Sequence, residues 1–303
     1  MVTILRPLST SELLDRTFHL YRNHFVLFVG IAAIPQLAVL AVQLGFVERV
    51  IRTPYLGRWG STLVILAVNF LALEIAHAAT TIAVSNLNID RPASIGSSYW
   101  AVKGSMLRVI WTAFVAFILP FIIAIPLMPT GIGLLSVLII GIGETSTAAA
   151  VIIGVTFIVG IFALPLRWWL RWSLAIPVTV LEGGGLRASM RRSKALTYDR
   201  RGRIFVIYLL IVALTWVVKI VCQTPFYIIL GLRTSRSPWL LNQTARLIQV
   251  GGTFLSASLI GALLTIAITL IYYDERVRRE GLDLQLMMSA AESALQNPLA
   301  SSA

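Results

Sequence analysis

Charge is scarce in this chain. Asp, Glu, Lys and Arg together make 13% of its 303 residues, where soluble domains carry about 25%. Cysteine is scarcer still: with Cys222 alone, no internal disulfide can form. No CxxC pair or His/Cys cluster is available to hold zinc, which excludes a disulfide scaffold and a structural metal module. The three histidines, His19, His24 and His77, are scattered. No GxSxG, HExxH or CxxC arrangement points to a reaction class. Gly183, Gly184 and Gly185 lack the trailing GK[ST] and the preceding strand that a phosphate loop needs. No metal, no cofactor and no catalytic residue is expected.

What the chain has instead is apolar surface, at 57% of its residues. Uninterrupted apolar runs lie at about 25–47, 62–84, 107–128, 145–166, 204–230 and 247–273. Each reaches the roughly 20 residues needed to cross about 30 Å of hydrocarbon. Backbone polar groups cannot be left facing lipid, so such runs predict helices. The expected fold is all-α: a polytopic transmembrane bundle of about six spans with short interfacial helices. Residues 129–147 hold a shorter apolar centre, which either extends a neighbouring span or forms a re-entrant turn eased by its glycines.

The net charge of +12 would suggest a nucleic-acid partner in a soluble protein, but here its distribution matters more. Eighteen Lys and Arg fall on the odd-numbered side of the predicted spans and six on the other. The positive-inside rule then places both termini in the cytoplasm, with membrane lipids and no nucleic acid as partners. The domain plan is an N-terminal cytoplasmic or interfacial helix at 1–24 and a six-span domain at 25–273. Within that domain lies a basic cytoplasmic loop at 167–203, and a cytoplasmic tail follows at 274–303. The polar lead ahead of residue 25 predicts a retained span, not a removed signal peptide. Trp59, Trp100, Trp111, Trp168, Trp169, Trp172 and Trp239 sit near predicted span ends, where indole rings are best solvated, whereas Trp216 lies mid-span. Pro35, Pro120, Pro126, Pro165 and Pro225 predict kinks.

Ser9 and Glu12 have capping-box spacing ahead of Leu13, Leu14, Phe18 and Tyr21 on one face, so the segment before the first span predicts either an interfacial helix or an extension of that span. Leu186 to Leu196 predicts a basic amphipathic helix after the triple glycine. Arg187, Arg191, Arg192, Lys194, Arg200, Arg201 and Arg203 could meet anionic headgroups or a partner protein, or could simply set topology.

Three blocks of the chain resemble a known family: ILRPLSTSELLDRTFHLYRNHFVLFVGIAAIP, LRASMRRSKALTYDRRGRIFVIYLL and LIYYDERVRREGLDLQL. Over most of residues 3–287 the chain resembles the membrane-domain family of glycerophosphoryl diester phosphodiesterases, which also occurs as stand-alone proteins. The resemblance implies a polytopic bacterial membrane module without the catalytic barrel, and it carries over no catalytic residue. In the closing block, Asp274 with Arg278 and Glu275 with Arg279 are i,i+4 pairs. Charge complementarity predicts that Arg192 and its neighbours, with Ser193, pair with Asp274 and Glu275, locking the fourth loop to the tail.

Ionisable groups inside apolar runs mark function by default. Glu74 and His77 share one helical face with Asn69, either as a packed hydrogen-bonded pair or as part of a proton or ion pathway. Lys219, with Gln223 and Cys222, either meets Glu74 in a buried ion pair or snorkels to a headgroup layer. The functional expectation is a non-catalytic membrane module organising a partner or anionic lipid. The alternatives are a small transporter using Glu74, His77 and Lys219, and, with least support, a lipid-modifying membrane enzyme.

Overall fold

The computed structural model describes residues 7–50, 56–120, 147–233 and 238–281, with isolated positions 122, 136, 140 and 288. The described residues form an all-α helical bundle without strands. Its helices in chain order are α1 (Thr10–Asn23), α2 (Phe25–Val50), α3 (Leu56–Asn88), α4 (Ile95–Lys103), α5 (Met106–Ala113), α6 (Thr147–Arg171), α7 (Ala175–Glu182), α8 (Leu186–Thr197), α9 (Arg201–Arg233) and α10 (Pro238–Glu280). A π-helical turn, Phe114–Ile118, continues α5.

Four stretches are long and apolar enough to cross a membrane: Phe25–Gly45, Thr62–Asn88, Arg201–Pro225 and Leu247–Glu280. The pair Ile95–Lys103 and Met106–Ile118, bent by 81°, makes a fifth if it is one broken span. Among the described residues the count is therefore four to five, where six were expected. The third predicted run begins as α5 behind that bend, and the fourth coincides with α6. The segment 129–147 lies outside the described residues, apart from positions 136, 140 and 147.

The bundle is built around α10. Some 61% of its apolar window is buried, against 22–28% for the other three candidate spans, so α10 is the central rod and they form its jacket. Small residues allow close approach where helices cross, since dense packing has to replace hydrophobic exclusion between apolar helices. A β-carbon added to Gly261 of α10 would stand 3.5 Å from the Ala32 side chain of α2. Threonine hydroxyls are satisfied by their own helices: Thr81, Thr179, Thr215 and Thr269 each donate to the carbonyl four residues back, at 2.7–2.8 Å. That bond lets a hydroxyl enter an apolar interior without a partner from another helix.

α1 opens with the capping box anticipated from Ser9 and Glu12. Its buried Leu13 and Thr17 face the bundle. The Leu8 amide, just ahead of it, donates to Asp274 near the end of α10, while the Tyr21 hydroxyl donates to the Leu259 carbonyl. These contacts are fifteen residues apart on α10, about 22 Å of helical rise. α1 therefore lies lengthwise along α10, antiparallel to it, packed against protein. Arg16 reaches Asn88 at the end of α3, its Nη2 donating at 2.6 Å, and burial lowers its pKa.

The stretch after α6 departs most from the expected exposed loop. Residues 173–179 are buried, and α7 turns back into the bundle before Gly183, in the left-handed region at φ 67°, ends it. A seven-residue apolar piece is too short to span and has to be packed inside protein instead. Pro35, Pro165 and Pro225 sit inside continuous helices, and a sharp bend falls at Gly104–Ser105. Pro126 lies outside the described residues.

α4 packs on α2 through the Tyr99 hydroxyl, which donates to the Ile31 carbonyl at 2.5 Å, and through the bare Gly30, where a β-carbon would overlap the tip of Ile95. Gly30→Val should lower the thermal stability of the detergent-purified chain by about 1–3 kcal/mol, the usual cost of overpacking. Ile95→Ala in the same chain should recover part of the loss.

Candidate functional site

Two places concentrate the polar chemistry: the arginine-rich end of the bundle and a cavity in its interior. At the arginine-rich end, all three blocks of the family resemblance meet on one carboxylate. Asp274, with a side chain 1% exposed, accepts from the Leu8 amide at 2.7 Å, from Arg203 Nη1 at 2.5 Å and from Arg278 Nε at 3.0 Å. Both guanidiniums then donate to the Leu8 carbonyl, at 2.6 Å from Arg203 and 2.5 Å from Arg278. The chain ahead of α1, the start of α9 and the end of α10 are thus closed into one clasp by charge-assisted bonds, the stronger class of hydrogen bond. Glu275, buried next door, lies 3.7–3.9 Å from Arg279, Arg203 and Arg200. Its oxygens have no hydrogen-bond partner.

Arg192 has other partners than the one expected. Its guanidinium reaches Glu280 at 2.5 Å and Glu182 at 3.2 Å, and not Asp274. Glu182 also accepts from the Tyr272 hydroxyl at 2.8 Å. Partial burial works against the charge, but the carboxylates of Glu280 and Glu182 outweigh it and raise the Arg192 pKa. Ser193 donates to the Arg171 carbonyl at 3.2 Å, not to a carboxylate. The geometric reason is that α8 lies across the end of α6, with Ser193 and Thr197 both turned toward Arg171 and the Arg192 side chain directed at the last turn of α10. The fourth loop and the end of α10 are tied together, through Arg203 on Asp274 and Glu275, Arg200 on Glu275 and Arg192 on Glu280.

Of the seven basic loop residues singled out, these three are engaged inside the protein. Arg201 lies over the Tyr198 ring, 5.5 Å from its centre. Arg187, Arg191 and Lys194 are exposed and have no ion-pair partner among the described residues. At i, i+4 and i+7 they form one stripe along α8, continued by the exposed Tyr198.

The second place, a cavity among the helices that is open on one side, measures about 230 Å³. α3 contributes Glu74 and His77, α9 contributes Tyr208, and α10 contributes Thr265. Trp169 of α6 and Phe117 of the π-helical turn add aromatic wall, and the buried α7 closes one side with Ile176 and Pro177. Glu74 is 3% exposed, and its Oε2 has no hydrogen-bond partner. His77 Nδ1 stands 3.7 Å from that oxygen. Trp169, expected near a span end, is turned inward against Tyr208, ring centres 4.4 Å apart. Asn69 does not line the cavity, because its amide donates to the Ile65 carbonyl of its own helix.

Lys219 is not the partner of Glu74. It lines a separate cavity of about 220 Å³ with Gln36, Thr215, Thr253 and Ser256, and its ammonium lies 5.4 Å from the Trp216 ring centre. Glu74 and Lys219 thus sit in different packing layers. The role of α7 escaped the sequence because its apolar run resembles neither a span nor a solvated loop. The one available signal was AIPVTVL, which has no charge and directly precedes Glu182 and the triple glycine.

Removing one partner of a buried ion pair costs about 3–5 kcal/mol. Asp274→Asn should therefore destabilise the purified chain by that order in thermal unfolding, while Arg192→Ala, at a half-exposed pair, should cost about 1 kcal/mol or less. Equal losses would mean that the clasp is no stronger than a surface pair. No family model matches the chain, and neither a curated protein nor a solved structure matches it, so the resemblance read from the three sequence blocks rests on those blocks alone.

Proposed function

We propose that this protein is a non-catalytic, multi-pass module of a bacterial inner membrane, with both termini in the cytoplasm, that gathers anionic lipid headgroups on α8. The observation that carries this reading is the stripe of Arg187, Arg191 and Lys194. Six arginines around the clasp (192, 200, 203, 276, 278 and 279) face five carboxylates, those of Glu182, Asp199, Asp274, Glu275 and Glu280, so that region is close to neutral. The stripe on α8 has no such compensation.

Its level in the bundle suits the role. Ser193 and Thr197 hold α8 against the Arg171 carbonyl, next to Trp168 and Trp172, whose rings pack 5.5 Å apart. Paired tryptophans at a span end favour the headgroup layer, and basic side chains there attract anionic lipid by about 1 kcal/mol each. The clasp keeps α9 and α10 in place beneath α8, so the three cations are presented on a rigid support. The resemblance to stand-alone phosphodiesterase membrane domains agrees with a module that acts through its surface.

Three such charges correspond to about 3 kcal/mol, or roughly a hundredfold in association. In vesicles carrying spin-labelled lipids, the chain should prefer phosphatidylglycerol over phosphatidylcholine. The triple variant Arg187→Gln, Arg191→Gln, Lys194→Gln should lose most of that preference, whereas Arg22→Gln, away from α8, should keep it. An unchanged preference in the triple variant refutes the reading. A phosphatase reporter fused after Met190 should be inactive, and an active fusion would reverse the orientation.

A further inference from the structure

We propose that the cavity around Glu74 binds a small aryl-alkyl ammonium ion, a site independent of the lipid contact on α8. Glu74 lies fourteen residues from the Asn88 end of α3, about 21 Å of helical rise. A carboxylate at that depth is costly unless something pairs with it. The protein supplies little: His77 Nδ1 stands at 3.7 Å without a hydrogen bond, Glu74 Oε2 is buried and unpartnered, and Lys219 belongs to the other cavity. A second buried oxygen lining the same space, Thr265 Oγ1, is also unpartnered. Two acceptors left open around one void call for a ligand with N–H donors.

The remaining wall selects the rest of the ligand. Trp169 packs edge-on against Tyr208 and against Phe117, with ring centres 4.4 and 6.5 Å apart, which makes an aromatic corner. The Tyr208 hydroxyl already donates to the Ser173 carbonyl at 3.3 Å, so its ring is what remains for a ligand. Aromatic faces attract ammonium groups, most strongly where water is excluded. A bare inorganic cation would need several oxygen ligands, and the other hydroxyls of the lining, on Thr81, Ser173 and Tyr208, already donate to carbonyls, which leaves Glu74 and Thr265 as the unengaged oxygens. A neutral acyl chain would leave the carboxylate uncompensated.

Size follows from the volume. A cavity of about 150 Å³ holds benzene, so about 230 Å³ suits a molecule of roughly ten non-hydrogen atoms. The π-helical turn Phe114–Ile118 fits this role, since its Phe117 and Ile118 line the void and such turns occur often at functional sites.

The test uses the full chain in detergent and isothermal titration with 2-phenylethylammonium, beside its neutral isostere propylbenzene. The cation should bind at least tenfold more tightly than the isostere. Glu74→Gln should bring the cation down to the affinity of propylbenzene while leaving propylbenzene unchanged, Thr265→Val should weaken the cation by a smaller factor, and Lys219→Ala should change nothing. Equal affinity for cation and isostere, no saturable binding of the cation, undiminished binding by Glu74→Gln, or an equal loss in Lys219→Ala would each overturn the proposal. If Glu74→Gln does not purify folded, the comparison of cation with isostere on the unaltered chain decides by itself.

Discussion

The bundle depends on one buried carboxylate. Asp274 gathers a backbone amide and two guanidiniums, and those guanidiniums share the carbonyl of the same residue, Leu8, whose amide Asp274 accepts. Ion pairs taken from water repay their desolvation only when the geometry is good and the remaining lone pairs are used. Here both oxygens of Asp274 are used: Oδ1 by Leu8 and Oδ2 by Arg203 and Arg278. The arrangement joins segments more than 260 residues apart in the chain, and it fixes where α1 and α9 stand against α10. Everything at that end, α8 included, is mounted on this connection.

Charge near the clasp is consequently a poor guide to charge offered outward. Arginine density alone marks the whole stretch from Arg187 to Arg203 as a contact surface. Three-dimensional pairing divides it. Arg192, Arg200 and Arg203 lie against acids contributed by α7 and α10, Arg201 lies over the Tyr198 ring, and the stripe of Arg187, Arg191 and Lys194 has no ion-pair partner among the described residues. Sequence periodicity identifies the stripe, but it does not identify which arginines have internal partners, because those partners are distant in the chain.

Much of the fold was legible for a simple reason: long uncharged runs have few alternatives to a helix. The capping box at Ser9, the helix after the triple glycine and the i,i+4 pairs of the closing block are local features and were readable locally. The pairing of Glu74 with His77 on one face was equally local. What could not be read was anything decided by one helix against another. Lys219 looked like a counter-ion for Glu74 because both are charged and intramembrane by pattern, yet they line separate cavities. α7 looked like loop because its apolar stretch is short, although residues 173–179 are interior. Trp169 looked like an interface marker and instead walls the cavity, since indole serves an aromatic core as well as a boundary.

The length of α10 has a mechanical consequence. Forty-three residues make a rod of about 64 Å, roughly twice the thickness of a hydrocarbon slab, and the clasp grips one extremity of it. A stiff beam held at one tip and passing beside both voids turns as a unit. A tilt imposed at its Pro238 extremity therefore pivots about Asp274, and Ser256, farther from that pivot, moves more than Thr265.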